Sequence, residues 1–129
     1  MAFYLDTSAF LKLLVAEPES PAMRAWFGTE GRSCWSSQLI VTEALRASSR
    51  LGLDPVTVEE TLDAVVLVLP AATTFHRAGM VEPAELRSLD ALHLAAALEL
   101  GSDLEGVVAY DRRLIAGARA AGLEVVSPA

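Results

Sequence analysis

Phe3-Tyr4-Leu5-Asp6-Thr7-Ser8 decides the reading of the whole chain. A short run of aromatic and aliphatic residues ends in a carboxylate and two small hydroxyl residues. Such a run, closed by a turn signal, reads as a strand buried in a sheet. The apolar pattern of Ala9-Phe10-Leu11-Lys12-Leu13-Leu14-Val15 follows at once and reads as a helix. Asp6 is thus expected at the carboxyl end of a strand, at a strand-to-helix turn. That is the edge at which open α/β sheets bind ligands. Asp6 is also a good helix N-cap, since its oxygens accept from free backbone N–H groups. The two roles are compatible, and what favours a functional one is that the arrangement recurs.

The recurrence lies near the far end. Val107-Val108-Ala109-Tyr110 reads as a strand running into Asp111, followed by a helix over Arg112 to Ala121 that Gly122 stops. Between the two ends, helices and strands alternate. Pro18 ends the first helix, and Ser20-Pro21 opens a second through Met23, Trp26 and Phe27, with Ser20 as N-cap. Ser33-Cys34-Trp35 reads as a short strand, after which Ser36-Ser37 open a helix from Gln38 to Leu51 that Gly52 stops. Asp54-Pro55 caps a further helix from Val56 to Ala64, and Val65 to Leu69, β-branched and closed by Pro70, reads as a strand. A helix through Phe75, His76 and Met80 comes next, and His76 beside Arg77 reads as a solvated surface residue. A loop at Glu82-Pro83-Ala84-Glu85 leads to the stretch from Leu86 to Gly101, a helix apolar nearly all round, with Ser88 as N-cap and Gly101 as stop. Asp103 to Gly106 reads as a turn, and Leu123 to Val126 as the last strand.

Alternation of this kind predicts an α/β fold, three layers with a mostly parallel central sheet between helices, and one domain over residues 1–129. A chain of 129 residues buries a sizeable core, and the hydrophobic fraction is 53%. No apolar run approaches the roughly 20 residues that span a bilayer. With no secretory leader pattern and one cysteine, Cys34, the expected compartment is the reducing cytoplasm. Cys34 beside Trp35 in a strand reads as core packing. The formal net charge of −7 weighs against nucleic acid as a partner. It does not exclude it, because carboxylates that bind a divalent cation inflate the acidity of the bare chain. Arg46, Arg50, Arg87, Arg112 and Arg113 are candidates for local basic patches.

A parallel sheet gathers the carboxyl ends of its strands at one edge, which brings Asp6 and Asp111 together. Asp90, in the first turn of the apolar helix, reaches the same edge if that helix starts there. Glu43 lies well inside its helix, beyond reach of a capping role, so it is either on the wet face or directed at something. His93, three residues after Asp90, could complete an Asp-x-x-His metal pair. With no second histidine nearby, a packed histidine holding a neighbour is the better reading. Carboxylates gathered in one cleft repel unless a cation neutralises them. Oxygen ligands without thiolates suit Mg²⁺ or Mn²⁺, and the chemistry that follows is phosphodiester hydrolysis. No Gly-rich phosphate loop, G-x-S-x-G elbow or Cys–His pair supports a rival mechanism.

Four motifs then carry a resemblance: Tyr4-Leu5-Asp6-Thr7-Ser8, the Glu43 helix, Leu89-Asp90-Ala91-Leu92-His93-Leu94-Ala95, and Tyr110-Asp111-Arg112-Arg113-Leu114. In type, order and spacing the chain resembles the PIN-domain ribonucleases of the VapC toxin family over essentially its whole length. The resemblance implies a PIN-like fold and a Mg²⁺- or Mn²⁺-dependent endoribonuclease acting on structured RNA, tRNA or ribosomal RNA. It implies an acidic quartet of Asp6, Glu43, Asp90 and Asp111, with Asp6 and Asp90 as metal ligands, Glu43 and Asp111 bound directly or through water, and Ser8 in support. It also implies a homodimer and a co-encoded VapB-type antitoxin that covers the cleft. An aspartyl phosphatase would want a second Asp where Ser8 stands, and a phosphoreceiver would want a lysine near the site. The remaining alternative is a non-catalytic module of the same fold that only binds protein or RNA.

Overall fold

The computed structural model describes residues 2–129. Its centre is β1 (Ala2–Leu5), flanked on one side by β2 (Ser33–Ser37) and β3 (Val66–Val68). On the other side lie β4 (Leu104–Val108) and β5 (Val125–Val126). The sheet order is β3-β2-β1-β4-β5 and every pairing is parallel. Tyr4 pairs in register with Trp35 on one side and Val107 on the other. Parallel neighbours require crossovers, and the helices supply them.

Successive strand residues point to opposite faces, so Tyr4 and Leu5 build different layers. Tyr4 and Val107 pack with Leu94, Ala96 and Ala97 of α6 (Ser88–Leu98) and with Leu114 and Ala118 of α7 (Arg112–Ala120). Leu5, Cys34 and Val108 pack on the other face against Ala9 of α1 (Thr7–Lys12) and Met23 of α2 (Ser20–Phe27). Phe10 joins that layer to α3 (Leu39–Leu51) and α4 (Pro55–Asp63) through Ile40, Ala44, Val58 and Leu62. A further helix, α5 (Ala72–Ala78), lies on α6. The expected three-layer α/β/α fold with a parallel sheet is therefore the observed one. Each fully buried Phe, Leu or Ile in these layers contributes about 1.5–3 kcal/mol of transfer free energy.

Caps and stops follow the sequence at several ends. Asp54 accepts from the Val56 N–H, Asp111 from the N–H groups of Arg113 and Leu114, and Gly52 ends α3 at φ 67°. Cys34 is buried and His76 exposed, as expected. Several boundaries differ from the expected ones. Ser36 and Ser37 belong to β2, where the Ser36 hydroxyl donates to the Leu5 carbonyl at 2.7 Å. Ser20 and Ser88 are the first helical residues, after Glu19 and Arg87 as caps. The stretch expected to turn, Asp103 to Gly106, instead completes a 3₁₀ turn (Gly101–Asp103) and begins β4. Finally, β4 ends at Val108, so Ala109 and Tyr110 form the lead into Asp111.

Candidate active site

The carboxyl end of β1 carries Asp6 into the interior, where it is only 2% exposed. It caps α1 by accepting from the Ala9 N–H at 2.9 Å. The Ser8 hydroxyl stands 2.7 and 2.8 Å from its two oxygens. Asp6 thus stands at the carboxyl end of β1 and caps α1 with the same side chain. Its hydrogen bonds come from neutral donors, which do not replace the hydration a buried carboxylate loses. Burial accordingly pushes its pKa up to about 6, against the pull of Ala9, Ser8 and the His93 ring, and the Asp90 charge pushes the same way.

Asp90 sits in the first turn of α6, half-buried. Burial raises its pKa first, and the charges of Asp111 and Glu43 add to this, while His93 and Arg87 oppose it. Asp111 is exposed at the N-terminus of α7. Glu43 falls on the same stripe of α3 as the buried Ile40, Ala44 and Ala47, so it points inward. Its Oε1 meets His93 Nε2 at 2.7 Å. The open question about Glu43 is answered: it is directed at something. The sheet and its helices bring all four acids into one electrostatic neighbourhood. Arg87, just before α6, and Arg112 and Arg113, in the first turn of α7, stand exposed beside Asp90 and Asp111. Arg46 and Arg50 are exposed on α3.

His93 is the packed histidine the spacing favoured, 1% exposed and bonded at both ring nitrogens. Sequence reasoning missed its partners. The Tyr4 hydroxyl lies 2.7 Å from Nδ1 and the Thr7 hydroxyl 3.2 Å from Nε2. Burial pushes the Tyr4 phenol well above its ordinary range, so it remains a proton donor. A tyrosine in the central strand was the available signal, because a buried hydroxyl needs a partner.

The donor set suits a hard divalent cation. All four acids offer oxygen, and Asp6 is a buried carboxylate held by neutral groups. Among the described residues, however, no three Asp, Glu, His or Cys side chains stand close enough to form a ready-made cage. Mg²⁺ takes one or two carboxylates directly and keeps several waters, so its binding does not require one. The four acids share a field more than a coordination sphere.

A family model for the PIN domain matches residues 3–120. The chain belongs to the PIN-domain family. Within that family it falls among the VapC ribonucleases: it is 37% identical over 131 residues to ribonuclease VapC47 of Mycobacterium tuberculosis, covering 97% of this chain and 96% of that one. The fold is that of the solved VapC20 of M. tuberculosis, a sarcin-ricin loop cleaving toxin (TM-score 0.76, 16% identity, 98% and 99% of the two chains). It is also that of a toxin–antitoxin complex from Klebsiella pneumoniae (TM-score 0.70, 18% identity, 100% and 98%). No helix in the described residues is long and apolar enough to cross a membrane.

Proposed function

We propose that this PIN-domain chain is a divalent-cation-dependent endoribonuclease, the toxin of a VapBC pair, and that it cuts structured RNA such as tRNA or ribosomal RNA. The observation that carries the reading is Asp6. A carboxylate buried at the end of the central strand, with its pKa raised and Asp90 in its field, is a poor structural element without a counter-charge. It is a good anchor for a cation. Asp6 and Asp90 would hold Mg²⁺ or Mn²⁺, with Glu43 and Asp111 bound directly or through water. When bound, the ion supplies an activated water and offsets charge on the phosphate under attack.

The chain's own groups do the rest. Ser8 and the Ala9 N–H fix the orientation of Asp6. Arg87, Arg112 and Arg113 are exposed beside the acids and suit phosphates flanking the cut, which reconciles an acidic chain with an RNA substrate. Membership among the VapC ribonucleases supports a VapB-type antitoxin as partner and a homodimeric toxin. The test is cleavage of total RNA by purified, antitoxin-free protein with Mn²⁺ or Mg²⁺, beside EDTA and Asp6→Asn controls. A discrete product lost in both controls is expected. Folded protein that cuts nothing with either metal would overturn the nuclease reading in favour of a binding module.

A further inference from the structure

His93 is gripped from two sides by groups far away in sequence. Its Nε2 lies 2.7 Å from Glu43 Oε1 and its Nδ1 2.7 Å from the Tyr4 hydroxyl. A carboxylate can only accept, so Nε2 carries its hydrogen toward Glu43. In the neutral ring Nδ1 is then an acceptor, and the phenol donates to it. The order of donation runs one way: Tyr4 to His93 to Glu43. Thr7 Oγ1, 3.2 Å from Nε2, borders the same proton.

The three residues differ in freedom. Tyr4 is on the central strand and 1% exposed, and its ring meets the imidazole edge-on at a centroid distance of 5.8 Å. His93 is in the buried helix α6. The Glu43 side chain is the least enclosed: it is 20% exposed, and among the described residues its only hydrogen bond is to His93. That bond engages Oε1 and leaves Oε2 open.

We propose that Tyr4 and His93 are positioning residues, a two-step hydrogen-bond relay from the sheet core that fixes the Glu43 carboxylate with one oxygen turned to the cleft. The role assigned to that oxygen rests on the cation-dependent reading above, whereas the relay itself does not. Groups that orient ligating side chains in this way typically change metal affinity or activity about 10–100-fold when removed.

The test uses the whole chain and separates the two claims. The sequence has two histidines, so long-range ¹H–¹⁵N spectra resolve His93 against the exposed His76 as an internal reference. In metal-free wild type, His93 should show the tautomer protonated at Nε2. In Tyr4→Phe, which keeps the ring and removes the hydroxyl, the tautomers should mix. Mn²⁺ affinity and kcat should each fall about tenfold there, with KM for RNA within about twofold. His93→Gln, whose amide can still donate to Glu43, should recover part of what His93→Ala loses. A wild-type ring protonated at Nδ1 alone would overturn the relay. So would folded Tyr4→Phe and His93→Ala proteins that bind Mn²⁺ as wild type does, or losses that track Tm alone with His93→Gln no better than His93→Ala. If wild type cuts no RNA, the nuclease reading fails while the tautomer and Mn²⁺ measurements still decide the relay. If Asp6→Asn is inactive but the relay variants match wild type, only the relay fails.

Discussion

The hydroxyl of Ser8 joins the Asp6 carboxylate to the backbone of Tyr110, just beyond β4. It stands 2.7 Å from Asp6 Oδ1 and accepts from the Tyr110 N–H at 3.0 Å. The Asp111 N–H approaches the same oxygen at 3.3 Å. One oxygen atom thus sets the spacing between the two strand-to-helix turns that bear acids.

Ser8→Ala should therefore cost both stability and rate. It leaves the partly buried Tyr110 N–H without its acceptor, a loss of about 1–3 kcal/mol. Thermal melts should show a drop of several degrees, and cleavage should slow while Ser8→Thr stays near wild type. A Ser8→Ala protein with unchanged Tm and rate would show that the turns hold their spacing without it.

Asp6 makes the metal-free fold sensitive to pH. Its pKa is about 6 folded against 3.8 as a free side chain. Below pH 3.8 the group is protonated in both states and contributes nothing. Above pH 6 it is ionised in both, and folding carries the full cost of burying the charge. Its contribution thus falls as pH rises from about 4 to about 6, by roughly 3 kcal/mol. In EDTA at pH 7.5, Asp6→Asn should melt higher than wild type, and the gap should close near pH 4. Adding Mn²⁺ should raise the Tm of wild type and leave the variant unmoved. A variant that melts lower than wild type at pH 7.5 would remove the buried charge as a source of strain.

Asp90→Asn should abolish cleavage, by roughly a hundredfold or more, in a protein that still folds. The Asp90 carboxylate is half-buried and in the field of Asp111, Glu43 and Asp6, so losing its charge relieves repulsion. Its Tm in EDTA should be equal or higher. Full activity in the folded variant would place the site elsewhere.

Lys12 bridges Glu17 and Glu19 at 2.9 and 2.8 Å and lies over the Tyr110 ring at 5.1 Å. Its side chain is 11% exposed, and those of the two acids are 43% and 35% exposed. Lys12→Met should cost a few degrees of Tm at low salt and less at 1 M salt, because exposed pairs are screened. RNA cleavage should be unchanged. A salt-independent loss would point to packing of the lysine stem as the main contribution.

The frame of the molecule was legible because local pattern and global fold agree in it. β1, Asp6 and the recurrence at Asp111 read directly, as did the apolar α6 and its Asp90. Misreadings came where packing selects small residues that also signal turns. Gly106, which signals a turn in the sequence, lies inside β4. Ser36 belongs to β2, where its hydroxyl fits against the Leu5 carbonyl. The Tyr4–His93–Glu43 relay was out of reach for a different reason. Its bonds join positions 89 and 50 residues apart, and no local spacing encodes them.

The strand order also governs when the molecule becomes whole. β1 is made first but lies in the middle of the sheet, and its partner β4 begins only at Leu104. A chain still being synthesised has one edge of β1 open, and the turn that delivers Asp111 does not yet exist. Closing that gap spans about a hundred residues, a long-range step of the kind that slows folding. The cleft draws its four acids from four separate segments of the chain, so it is complete only when β4 is paired with β1.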